Sequence, residues 1–178
     1  MYSSLVSKKA IVSIVISISL ITLTACGGSD VSSSPTNSAT PSESAAASGT
    51  VLPTVTNIAG EAPTITAPQG AAPTELVSTD IIVGTGAEVL ATSTLTVHYT
   101  LMAWSTGKVV ESSWTGKSPA TFGLSQVILG WQQGIPGMKV GGRRLLVIPP
   151  ALGYGAAGGG PIGPNETLIF AVDVLGVS

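Results

Sequence analysis

Cysteine is almost missing from this chain: 178 residues contain one, so no internal disulfide can form. Histidine is as scarce, with one residue. A single histidine and a single cysteine cannot build a zinc site, and no Ser-His-Asp or Cys-His arrangement can be argued. Charge is also thin, with seven Lys and Arg against nine Asp and Glu and a net charge of −2. The basic residues are scattered except for Arg143-Arg144, so the chain lacks the basic stripe that nucleic acid requires. Nucleic acid is excluded as a partner. Long apolar runs are missing apart from residues 10–23, too short for a comfortable membrane span.

That run has another reading. Lys8 and Lys9 precede it, and it ends in Leu23-Thr24-Ala25-Cys26 followed by two glycines. The pattern resembles the lipobox at which bacterial lipoproteins are lipidated and cleaved, which makes residues 1–25 a signal peptide and Cys26 the lipidated first residue. Two acyl chains on a cysteine give a stable anchor where one does not. The expected location is the cell envelope, lipid-anchored on the periplasmic face. Gly27 is not the Asp that resembles an inner-membrane retention signal, which favours the outer membrane where there are two.

Residues 26–75 are rich in Ser, Thr, Ala, Pro and Gly, with no Lys or Arg and no apolar periodicity. Such composition buries too little surface to offset its ordering entropy, and the segment reads as a disordered tether. A chain starting near Ala72 is therefore expected to fold by itself. The alternative is that Val51-Leu52-Pro53-Thr54-Val55 or Ala62-Pro63-Thr64-Ile65 adds an edge strand to the domain.

Residues 76–178 have the length of one domain. Leu95, Val97, Tyr99 and Leu101 alternate with Thr94, Thr96, His98 and Thr100, marking a strand with one buried face. Tyr99 is expected to point inward and His98 outward, in a hydrogen-bonded structural role. Leu168, Phe170, Val172 and Val174 repeat the pattern, as do Ala120, Phe122 and Leu124. Further strands are read at Leu76-Val77 with Ile81-Ile82-Val83, at Lys108-Val109-Val110, and from Arg144 to Ile148. One helix is expected after Ser125 as N-cap, with Val127, Trp131 and Ile135 on one face and Gly134, Pro136 and Gly137 ending it. The fold class is α+β: a bent antiparallel sheet of about five to six strands around one short helix. Gly84-Thr85-Gly86 lacks the third glycine of a dinucleotide loop, and the Gly155 to Gly160 run has no Lys-Ser or Lys-Thr behind it to cradle phosphate.

Several weak motifs then follow one another in order. These are Val97-His98-Tyr99-Thr100, Thr106-Gly107-Lys108, Val127-Ile128-Leu129-Gly130-Trp131, Met138-Lys139-Val140-Gly141, Ile148-Pro149-Pro150 with Gly153-Tyr154-Gly155, and Leu168-Ile169-Phe170. Together they resemble the FKBP-type peptidyl-prolyl cis-trans isomerases across the whole domain. The resemblance implies rotation about X-Pro bonds of proline-containing polypeptides, with no cofactor or metal, by a monomeric domain. It implies that Tyr99, Glu111, Trp131, Tyr154 and Phe170 carry the catalysis, with Trp131 as the floor and Tyr154 at the rim. Val110, Phe122, Val127, Ile128 and Ile162 complete the substrate walls, and the Ile128 N–H is a further contact.

The chain departs from that family at Val110 and Ala120, where Phe is usual, at Glu111, where Asp is usual, and at Gly116, near its Arg. The expected result is a wider pocket with one less polar wall, and an Ile162 poorly held by its glycine-rich loop until substrate binds. An isomerase is favoured. A membrane-tethered peptide-binding module with little turnover, and a lipoprotein that keeps the fold for packing alone, stay open as alternatives.

Overall fold

A computed structural model describes residues 49–178. The apolar run, Cys26 and the first part of the expected tether lie outside the described residues. Six strands form one antiparallel sheet: β1 (Val77–Ile82), β2 (Thr94–Ala103), β3 (Lys108–Ser112), β4 (Ala120–Gly123), β5 (Arg143–Ile148) and β6 (Leu168–Val177). Their order is β1-β5-β6-β2-β3, with β4 pairing the first half of β2 and β3 its second half. Register shifts at Thr96/Val97 and Leu101/Met102 mark bulges in the β2 pairings, and bulges are where strands bend and twist harder.

The period of two decides the layers. Leu95, Val97 and Leu101 of β2, Leu146 and Ile148 of β5, and Phe170 and Val172 of β6 face the short helix and form the main core. That helix, α1 (Leu129–Gly134), contributes Trp131, with Ile135 just beyond it. It begins later than expected. Ser125 sits in a 3-10 turn over Leu124–Gln126, and the N-cap is Ile128, which makes no side-chain cap. Val127 and Ile128 have ψ of 174° and 151°, the extended backbone that β-branched residues favour, and so the helix waits for Leu129. Gly130 then lets it lie against the sheet: a Cβ there would stand 2.4 Å from Ile148 Cγ2.

The outer face of the sheet is also buried. Met102, Leu145, Val147, Ile169 and Ala171 form a second cluster with Ile65, from the segment expected to be tether. Residues 51–69 make an arm that doubles back through the bridges Val51↔Gln69 and Val55↔Ile65. Threonines hold it where ladder bonds are sparse: Thr54 N donates to Thr66 Oγ1 at 2.8 Å and Thr64 N to Thr56 Oγ1 at 3.0 Å. Pro53, Pro63 and Ile65 are buried. The disordered-tether expectation is therefore corrected over this stretch. The two candidate strands weighed in the sequence pair with each other and cover the sheet face, rather than extending the sheet edge.

A buried ion pair lies beneath the arm. Arg143, fully buried, donates through Nε to Asp173 Oδ1 at 2.8 Å and through its terminal nitrogens to the carbonyls of Thr56 (2.9 Å) and Glu61 (2.6 Å). Burial pushes the Asp173 carboxyl above its usual range, against the downward pull of Arg143 and His98. His98, across the ladder from Asp173, is buried rather than solvent-facing. It stacks on Trp114 at 4.1 Å, and its Nδ1 shares a hydrogen bond with Ser113 Oγ at 2.9 Å. The hydrogen-bonded role expected of it is present, on a face closed by other means than water.

Because the arm shields apolar side chains, a chain begun at Ala72 should be less stable than one begun at Gly49. The loss should be at least the roughly 1.5–3 kcal/mol that burying one aliphatic side chain contributes. Denaturant midpoints of the two chains check this, with Ile65→Ala as the milder version.

Candidate active site

Where the sheet curls over α1, it leaves a cavity of about 360 Å³. Trp131 is its base, 4 % exposed, fixed by the close helix–sheet approach at Gly130 and by its own neighbours. Three aromatic rings stand around the indole. Phe170 meets it at 5.3 Å between centroids, Tyr99 and Phe122 at 6.0 Å, all with interplanar angles of 82–86°. Edge-to-face geometry of this kind is attractive beyond the area it buries. The indole N–H is buried and has no acceptor among the described residues.

The strands deliver these rings by alternation. Tyr99 and Leu101 come from the inner face of β2, Phe122 from β4 and Phe170 from β6. Val127 and Ile128 close the cavity from the extended stretch before α1, and Tyr154, 43 % exposed, stands at its rim.

One wall is polar. The Tyr99 hydroxyl donates to Glu111 Oε1 at 2.6 Å, reaching from β2 to β3. Burial raises the Tyr99 phenol well above the ordinary tyrosine range, and the hydrogen bond to Glu111, its charge and that of Tyr154 push the same way. Tyr99 therefore stays protonated throughout the neutral range, its proton committed to Glu111.

Eight of the ten residues proposed from the sequence line the cavity: Tyr99, Glu111, Phe122, Val127, Ile128, Trp131, Tyr154 and Phe170. Val110 is half-buried and packs against the core cluster instead of lining the cavity. Ile162 is 7 % exposed and belongs to that same cluster. It is well held, contrary to expectation, because its N–H and carbonyl both bond to Gly159 at 2.9 Å. Gly158, with φ 68°, shapes this turn; a Cβ there would lie 2.4 Å from the Ile162 oxygen. Leu101 and Gln126 also line the cavity and were missed. The alternation that placed Tyr99 inward already carried Leu101, whereas nothing but adjacency to Val127 marked Gln126.

Among the described residues no group of His, Cys, Asp and Glu could hold a metal, and no helix is long and apolar enough to cross a membrane. The sequence profile described as FKBP-type peptidyl-prolyl cis-trans isomerase matches residues 86–175, half of the chain. The chain belongs to that family. It is a peptidyl-prolyl cis-trans isomerase, and the cavity lies within the stretch that matches. A probable FK506-binding protein of Corynebacterium glutamicum is 47% identical over 115 residues, covering 65% of this isomerase and 98% of that protein. An FK506-binding protein of Streptomyces anulatus is 48% identical over 121 residues, covering 66% and 98%. Among solved structures, FkpA from Escherichia coli superposes with a TM-score of 0.55 at 40% identity, over 58% of this isomerase and 48% of that chain.

The Tyr99–Glu111 pair has a pH signature. A phenol whose pKa is raised on folding adds stability in full below about pH 10, the unfolded tyrosine value, and that stability is lost as pH climbs toward the folded value. In an ultraviolet titration Tyr99 should ionise later than an ordinary tyrosine. Glu111→Gln, which removes the charge, should bring it back toward the ordinary range.

Proposed function

We propose that the cavity seats the proline ring of an X-Pro segment against Trp131 and lowers the barrier to rotation about its amide. The carrying observation is the indole ringed edge-on by Tyr99, Phe122 and Phe170 at the base of an otherwise apolar cleft. A planar amide draws the nitrogen lone pair onto the carbonyl oxygen, and the resulting partial double bond sets a barrier of about 18–20 kcal/mol. Twisting returns that charge to nitrogen. An apolar site deprives the charge-separated planar forms of the water that stabilises them, while the twisted form loses less. The Glu111 carboxylate on the wall acts in the same sense, since it penalises negative charge on a nearby oxygen. Shape comes from the four aromatic rings, and orientation of the flanking chain from the Tyr154 hydroxyl and the Ile128 N–H. No nucleophile is needed.

We also propose that Cys26 carries diacylglycerol and holds a monomeric isomerase at the cell envelope, with exported proline-containing polypeptides as substrates. The support is Lys8-Lys9, the apolar run and Leu23-Thr24-Ala25 ahead of the chain's one cysteine. Cys26→Ser should abolish labelled fatty-acid incorporation and release the protein from membranes on fractionation; retention of both overturns this assignment.

For the cavity, Trp131→Leu keeps apolar volume but removes the platform. Folded Trp131→Leu protein should lose most of its prolyl-exchange rate on a short Ala-Pro peptide. Tyr154→Phe should lower kcat/KM by roughly two- to tenfold, the effect of one hydrogen bond of about 0.5–1.5 kcal/mol. A folded Trp131→Leu variant as fast as the parent would place the reaction elsewhere.

A further inference from the structure

The peptide unit joining Val127 to Ile128 borders the cavity, and its carbonyl is gripped from the helix. Gln132 Nε2 donates to Val127 O at 2.7 Å, the contact being half-buried. The assignment of the amide is chemically forced, because a carbonyl only accepts and the oxygen of Gln132 cannot donate to it. Gln132 is itself anchored: its backbone N–H donates to Ile128 O at 3.2 Å, within the first turn of α1.

This grip fixes more than a carbonyl. In a planar trans peptide the C=O and N–H point in opposite directions, so holding the oxygen of Val127 sets the direction of the Ile128 N–H. That N–H has no partner among the described residues, while both Val127 and Ile128 line the cavity. Val127 and Ile128 pack their side chains against the core, and among the described residues Gln132 is the one side chain that hydrogen-bonds the peptide unit between them. A donor on the oxygen of an amide also polarises its N–H and strengthens the bond that N–H can make.

We propose that Gln132 is a positioning residue for the isomerase reaction, orienting and polarising the Ile128 N–H that holds the substrate chain. This rests on the reading of the cavity as the isomerase site, with the Ile128 N–H as a contact. Gln132 touches no substrate atom. It acts through the Val127–Ile128 peptide.

Two substitutions test it in the full-length protein, using prolyl exchange on an Ala-Pro peptide and the amide proton resonance of Ile128. Gln132→Met keeps the length and loses the donor. It should lower kcat/KM roughly three- to tenfold, the range of one hydrogen bond, and shift the Ile128 amide proton upfield. Gln132→Glu places a carboxylate against a carbonyl at neutral pH, but a protonated carboxyl can donate as the amide did. Its kcat/KM, taken as a ratio to the parent so that Glu111, Tyr99 and Tyr154 cancel, should recover as pH falls from 7 toward about 4–5. A purely structural Gln132 would leave the Ile128 resonance of folded Gln132→Met unmoved. A pH-independent ratio, or folded Gln132→Met with parental kcat/KM and an unmoved Ile128 resonance, overturns the proposal. Failure of the underlying reading looks different: Trp131→Leu would then keep parental activity, while the Ile128 resonance still responded to Gln132.

Discussion

Two consecutive arginines on β5 tie the halves of the molecule together, and the placement of the cavity depends on them. A strand sends successive side chains to opposite faces, so Arg143 and Arg144 cannot serve the same layer. Arg143 goes to the outer face, to Asp173 and the arm carbonyls. Arg144 goes to the inner face and ends at α1, where its NH1 donates to the carbonyls of Gly134 (2.8 Å) and Pro136 (3.3 Å). Its other nitrogens form a two-point pair with Asp80 of β1 at 2.6 and 3.0 Å. A helix of six residues has little intrinsic stability, and its last carbonyls need partners from outside the helix, Gly134 O also accepting from Ser78 Oγ at 3.4 Å. Arg144 supplies one partner and fixes the end of α1 relative to β1 and β5, which fixes Trp131 relative to Phe170.

The same economy shapes the cavity. Every aromatic ring around Trp131 comes from a strand that is itself paired, so the walls are part of the sheet rather than of mobile loops. Polar groups are few and committed. Tyr99 is locked to Glu111, Gln132 holds the Val127 carbonyl, and the Ile128 N–H has no partner among the described residues. On the proposed reading of the cavity, such a site has little to reorganise when a chain enters, and so more of the binding free energy can go into favouring the twisted amide.

How much of this could be read from the amino-acid sequence differs by layer. The strands were legible because alternation is a local signal: Leu95, Val97 and Tyr99 need no partner to be recognised as one face. The cavity followed from ordered motifs, and the strand periodicity alone places Tyr99, Phe122 and Phe170 inward. The arm was not legible. Its inward positions, Pro53 with Val55 and Pro63 with Ile65, keep the strand spacing of two for only two positions each, half of them proline, and threonine hydroxyls supplement the few ladder bonds. A Ser/Thr/Pro composition looks alike whether or not a sheet face exists to receive it. Ser125 misled for a related reason. It has the chemistry of an N-cap, but two β-branched residues downstream hold the backbone extended and postpone the helix. Ile162 was misjudged because glycine content was read as looseness, whereas Gly158 is the residue that lets a tight turn form around it.

The arm also gives the protein a mechanical polarity. It lies on the outer face while the cavity opens on the inner one, and the chain enters the domain through the arm's open end at Val51 and Gln69. A pull on the chain ahead of Gly49 therefore meets the Thr50 Oγ1 bond to the Ala71 carbonyl first, then the Val51↔Gln69 and Val55↔Ile65 bridges, then the carbonyl of Thr56 on Arg143. These contacts are loaded one after another, as in a zipper, rather than all at once. Tension from that side is spent in the arm before it reaches β2 or α1, so the cavity floor at Trp131 is insulated from whatever tugs at the other end.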